Sequence, residues 1–252
     1  ATRTLDFRHC ATARIRPRLL KSAVLLLSVH TGFLMSLDFE QARSFMVNQQ
    51  VRPWDVLDPR VLDVLGSVRR EDFVPARYRR MAFTDMALPL EHGQSMMKPV
   101  VEGRLLQALD LRPEDEVLEI GTGTGFLSAC LAQLARDVVS IDIHADFVER
   151  AQARFRATGL TNIRVELADA LDFQPQRKFD AVAITGALAA LPVDFLDWLK
   201  PGGRLFAVRG HSPVQQAVLF RADAQGRVGE EGLFETDLPY LIGAEPVARF
   251  AL

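Results

Sequence analysis

The chain has 252 residues, 48% hydrophobic and 25% charged, proportions that exclude a disordered, collagenous or disulfide-scaffold protein. Its two cysteines, Cys10 and Cys130, lie far apart with no Cys-x-x-Cys or Cys/His spacing. That excludes a disulfide framework or zinc site and predicts no metal and a reducing, cytoplasmic setting. The formal net charge of −2 combines two unlike pieces: residues 1–34 sum to +5, which leaves −7 on the rest. So acidic a body is a poor general binder of nucleic acid, whose phosphates need a basic face.

Residues 1–34 place a basic run before the apolar stretch Ala23 to Val29. That stretch is far shorter than the ~20 residues of a membrane-spanning helix, so no membrane is expected. No Ala-x-Ala-like cleavage site follows it. The expectation is a basic extension, disordered or lying upstream of a natural start at Met35; an Arg-rich transit segment is the competing reading.

Residues 35–110 read as a helical lid on the substrate side. Asp38 to Gln41 offers a capping box that opens a helix through Val47, with Ala42, Phe45 and Met46 on one face. Asp58-Pro59 starts a second helix, with the stripe Val61, Leu62 and Leu65 and a stop at Gly66. Leu88 to Gly93 reads as loop, and Val100 to Leu109 returns to helical spacing.

From residue 111 to 252, short apolar runs alternate with helical stretches. Strands are predicted at Val117–Ile120, Val138–Ile141, Ile163–Leu167, Ala181–Ile184 and Leu205–Val208. Helices are predicted at Phe126–Leu134 and Ala145–Thr158, the latter closed by Gly159. This repetition predicts an α/β fold: a Rossmann-like, doubly wound, mostly parallel sheet covered on both faces, with the helical part at its N-terminal side. Two β-like runs follow, around Ala217–Arg221 and Leu238–Ile242.

The stretch Glu119-Ile120-Gly121-Thr122-Gly123-Thr124-Gly125-Phe126 carries the most chemistry. Its glycines follow a strand and open a helix, where the chain must turn tightly and approach a ligand closely. Phe126 breaks the Gly-x-Gly-x-x-Gly spacing of dinucleotide binders. Glu119 precedes the turn, Asp142 ends the second strand and Asp169 follows the third. Three acids at one mouth repel a pyrophosphate and suit a cationic ligand, S-adenosyl-L-methionine. Asp142 can take its ribose hydroxyls, Asp169 its adenine amino group, and Glu119 can face its methionine end.

These residues also carry a resemblance. Met46-Val47-Asn48-Gln49-Gln50-Val51, Val68 to Pro75, Ala82 to Leu90, Gly93-Gln94-Ser95, the glycine turn and Pro201 to Leu205 stand in the order of the protein-L-isoaspartate O-methyltransferases. That family lies within the class I S-adenosylmethionine-dependent methyltransferases. The resemblance runs from about Met46 to Gly210 and implies methyl transfer to the free carboxylate of isoaspartyl residues in damaged proteins. The implied cofactor shell is Gln94, Ser95, Met96, Glu119, Gly121, Thr122, Gly123, Gly125, Asp142, Ile143, Asp169, Ala170 and Thr185, with Ser95 and Met97 at the reacting centre. Where the family loop reads Gly-Gln-Thr-Ile-Ser-Gln-Pro, this chain has Gly93-Gln94-Ser95-Met96-Met97-Lys98-Pro99. Met97 thus replaces a hydroxyl with a thioether that cannot donate. A small-molecule acceptor and a non-catalytic cofactor binder therefore stand as alternatives. Lys98 is read as solvated or as attracting an anionic acceptor, His92 as structural or solvated, and His144 in the same way, with stacking near adenine as the lesser reading. Cys130 is expected to be a buried inert thiol, and Trp54 and Trp198 are expected to pack.

Overall fold

Helix α1 covers Phe39–Phe45 and runs on as a π-turn over Met46–Val51. The helix is longer than its capping box predicts, and the wider turn rotates its buried face. Met46, Val47 and Val51 are buried, whereas Phe45 is 60% exposed. The computed structural model describes residues 38–247; the expectations for residues 1–34 lie outside them.

Helix α2 spans Pro59–Ser67, and the Asp58 carboxylate accepts the Arg60 N–H at 2.9 Å, the cap that the Asp-Pro pair predicts. Gly66 does not stop it: the helix continues to Ser67, and Val64 rather than Leu62 joins Val61 and Leu65 in the buried stripe. Leu88–Pro89 pairs antiparallel with Ser95–Met96, so the predicted loop is a small hairpin with Glu91–Gly93 at its tip. Helix α3 spans Pro99–Leu109, α4 Phe126–Leu134 and α5 Ala145–Thr158.

The main sheet contains β1 (Glu116–Ile120), β2 (Asp137–Asp142), β3 (Ile163–Leu167), β4 (Phe179–Leu188), β5 (Leu199–His211), β6 (Val214–Ala222) and β7 (Val228–Thr236). Its spatial order is 3-2-1-4-5-6-7, parallel through β5, with β6 and β7 added antiparallel. Alternation along the strands divides the core in two. Val117, Val138, Val165, Ala181 and Phe206 face α2 to α5. Leu118, Ile141, Val182 and Leu205 face the other way, against Phe195 and Trp198. Among the described residues, helices therefore cover one face only; a short 3-10 segment, Val193–Trp198, and loops cover the second.

Two further corrections concern the C-terminal part and a tryptophan. Leu238–Ile242 is not a strand but an extended stretch bridged to β4 at Ala187 and Tyr240. β7, whose run of Gly and Glu hides its alternation, takes the edge instead. Trp198 packs as expected and stacks on Phe195, while Trp54 is 59% exposed.

Candidate active site

The turn after β1 is held from both sides. Gly121 N–H donates to the Ile141 carbonyl at 2.8 Å, and Gly123 N–H donates to Asp142 Oδ2 at 2.8 Å. Gly121 and Gly125 have φ of +96° and +83°, where a side chain is strained. A Cβ on Gly125 would lie 2.8 Å from the Phe155 ring, and one on Gly121 would overlap the Thr185 hydroxyl. The glycines thus let α5 and β4 close onto the turn.

Two adjoining chambers open at the carboxyl ends of the strands. The first, about 680 Å³ including its mouth, is lined by Gln94, Ser95, Gly121, Gly123, Asp142, Ile143, Asp169, Ala170 and Thr185. All nine are residues that the sequence expectation named. Asp142 Oδ1 also accepts the His144 N–H at 2.9 Å, and burial raises the Asp142 carboxyl above its ordinary value. Asp169 Oδ1 accepts the Leu171 N–H at 2.9 Å. Thr185 sits where the β4–β5 pairing breaks between Ala183 and Ala187, and its hydroxyl reaches the Ile120 and Gly121 carbonyls at 2.9 and 2.8 Å.

The second chamber, about 320 Å³ including its mouth, shares Leu90, Ser95, Gly121, Gly123 and Thr185 with the first. Met96, Met97, Thr122, Phe126 and Glu102 complete the wall that matters chemically. Met97 is buried, and its carbonyl accepts from Arg70 at 2.7 Å. Lys98 is exposed. Arg70, itself fully buried, also donates to the Ala82 carbonyl at 2.9 Å, pairs with Glu102 and lies over the Phe126 ring at 4.6 Å.

Two expected site residues line neither chamber. Gly125 acts by letting α5 approach, as above. Glu119 points under α4, where one oxygen accepts from Ser128 and Ser140 and the other has no partner. Burial pushes its carboxyl up to about 8. Cys130 is buried and its thiol is raised, as an inert thiol should be.

Several lining residues escaped the sequence reading. Leu241 and Ile242 reach the first chamber because the C-terminal stretch is stitched to β4 through Ala187 N–H to Pro239 and Leu241 N–H to Ala187, at 2.8 and 2.9 Å. Apolar residues in a loop carry no local signal of such a return. The hairpin tip is clasped to α5: His92 lies 2.8 Å from Asp146, stacks on His144 with centroids 4.0 Å apart, and Glu91 pairs with Arg150 at 3.3 Å. His144 lines the first chamber.

Fold and site together define a class I methyltransferase domain: glycine turn after β1, acids after β2 and β3, and a ligand cleft at the strand ends. Comparison narrows the class. The family model for protein-L-isoaspartate(D-aspartate) O-methyltransferase matches residues 42–236. The chain is 37% identical to the protein-L-isoaspartate O-methyltransferase of Herpetosiphon aurantiacus over 194 residues, 77% of this chain and 86% of that protein. It is 34% identical to the Koribacter versatilis protein of the same name over 214 residues, 84% and 93% of the two chains. A Plasmodium falciparum protein assigned to the same activity, crystallised with S-adenosyl-L-homocysteine, has the same fold at a TM-score of 0.69 and 16% identity. That match covers 79% of this chain and 97% of the other. The chain belongs to the protein-L-isoaspartate O-methyltransferase family, and with it to the S-adenosylmethionine-dependent methyltransferases.

Proposed function

We propose that the protein transfers a methyl group from S-adenosyl-L-methionine to the free carboxylate of isoaspartyl residues in proteins or peptides. The observation that carries this reading is the convergence of the glycine turn, Asp142 and Asp169 on one chamber. The residues present fit the cofactor, since the turn leaves a cradle that a Cβ would fill and the chamber carries acids and no cation of its own. Asp142 would hold the ribose hydroxyls, Asp169 the adenine amino group, and Gln94, Ser95 and Met96 would close over the remainder. When bound, the cofactor supplies a methyl group activated on a sulfonium. The acceptor carboxylate is ionised at neutral pH and needs no base. The chain's task is then alignment and water exclusion, which the buried Met96, Met97 and Phe126 supply around the reacting centre.

We place the reaction in the cytoplasm, a reading supported by the buried free thiol of Cys130; no described helix is long and apolar enough to cross a membrane. Residues 35–110 act as the lid and 111–252 as the cofactor-binding part in this reading. Methylation of an isoaspartyl peptide, with its normal aspartyl isomer as control, tests it. Turnover of the isoaspartyl form alone is the expected outcome, and turnover of neither sinks the assignment. Met97 favours a second reading, in which donor and fold stay and a small molecule replaces the peptide. Under that reading the peptide is inert, although S-adenosylhomocysteine still binds.

A further inference from the structure

Glu102 is only 2% exposed, yet it forms part of the second chamber's wall, where it is the one ionisable group among the described residues. Its Oε2 accepts from Arg70, the one hydrogen bond to this carboxylate among the described residues. The second oxygen belongs to a group that lines the chamber, where it can accept from an arriving donor. Arg70 cannot be that donor. Its guanidinium is tied at the same time to Glu102 and to the Ala82 and Met97 carbonyls, which holds the carboxyl in place. The hydroxyls of Thr122 and Thr185 are engaged elsewhere, with Ser140 and with the Ile120 and Gly121 carbonyls.

Charge decides what kind of donor fits. Arg70 faces Glu102 from the segment after α2, Asp85 from the loop before the hairpin, Glu119 from β1 and the Cys130 thiol from α4. Arg70 is committed to three acceptors and the chamber's other lining groups are uncharged, so the Glu102 carboxylate favours an incoming cation over a second carboxylate. We propose that Glu102, held by Arg70, accepts a hydrogen bond from the α-ammonium of the cofactor's methionine moiety and so positions the methyl donor. Glu102 takes the role that the sequence reading gave to Glu119. The inference rests on the cofactor reading above, because the second chamber adjoins the first across Gly121, Gly123 and Ser95.

The test compares two nucleosides by calorimetry: S-adenosylhomocysteine, which carries the amino acid, and methylthioadenosine, which lacks it. Glu102→Gln should weaken S-adenosylhomocysteine roughly ten- to hundredfold, the range of a hydrogen bond to a charged group, and leave methylthioadenosine within about twofold. Equal losses for both ligands, or none, would overturn the proposal while leaving the cofactor site standing. Wild-type protein that binds neither nucleoside would overturn the cofactor reading and this one with it. A second measurement needs no variant. Burial raises the Glu102 carboxyl to about 7, so in wild-type protein the preference for S-adenosylhomocysteine over methylthioadenosine should grow as pH rises from about 6 to about 7.5. Groups near the adenosine, including His92 and His144, affect both ligands and cancel in the ratio. A flat ratio rejects the role even if Glu102→Gln does not fold.

Discussion

Gly121 shows how one residue joins fold to site. Its φ of +96° and the Thr185 hydroxyl leave no room for a side chain, and the same Thr185 braces the turn's carbonyls. Gly121→Ala should cost about 1–3 kcal/mol from backbone strain, with a further loss as Thr185 is displaced. It should also abolish S-adenosylhomocysteine binding. Thermal denaturation and calorimetry check the two parts, and a fully stable variant with unchanged binding would contradict the geometry. Asp142→Ala removes an acceptor of two backbone N–H groups and of the expected ribose hydroxyls. A loss of nucleoside affinity of roughly tenfold or more is expected for both S-adenosylhomocysteine and methylthioadenosine, in contrast to Glu102→Gln. At this scale the glycines and the two aspartates were legible, because each sits at the end of a strand and strand ends can be read locally. Glu119 was not. It lies on the helix-facing side of β1 beside Val117, and the alternation that buries Val117 carries Glu119 under α4.

Among the elements, the segment Arg70–Asp72 after α2 matters beyond its length. Arg70 joins it to α3 through Glu102, to the hairpin's exit through Met97 and to α4 through the Phe126 face. Arg70→Met would leave Glu102 buried without its cation. Removing one partner of a buried pair costs about 3–5 kcal/mol, so urea denaturation should show a loss of that size. Restoring part of it with Arg70→Met combined with Glu102→Leu would identify the stranded carboxyl as the cause. Arg70 was visible only as part of a motif, since a charged residue in sequence reads as exposed. The helices α4 and α5 were legible to the residue, because each has periodic apolar positions and a glycine at one boundary. The π-turn after α1, and the covering of the sheet's second face without a helix among the described residues, were not, since neither leaves a spacing that differs from ordinary helix or loop.

For the whole molecule, buried acids set a pH dependence opposite to that of surface ion pairs. Glu119, with a folded value of about 8 against about 4.3 when unfolded, keeps its proton more firmly in the folded state. Its contribution to stability is full below about pH 4.3 and is lost as pH rises through about 8. Glu119→Gln, which mimics the neutral form, should therefore hold its melting temperature better than wild type between about pH 5 and 8. Parallel melting curves would show that the carboxyl is ionised in the fold. Acids such as Asp58 and Asp180, held low by their cationic partners, act only at the acidic end, with the reverse sign.

The sequence by itself determined the class of fold, the strand-end acids, the glycine turn and the family resemblance. All are written in short stretches whose backbone preferences and alternation are local. Tertiary structure alone decided which carboxylate lines the second chamber, that Arg70 is buried against it, and that Leu241 and Ile242 return to wall the cofactor cleft. Those contacts join residues distant in the chain, and they exist only because the sheet order sets β1 beside β4 and because α3 packs against β4 and β5.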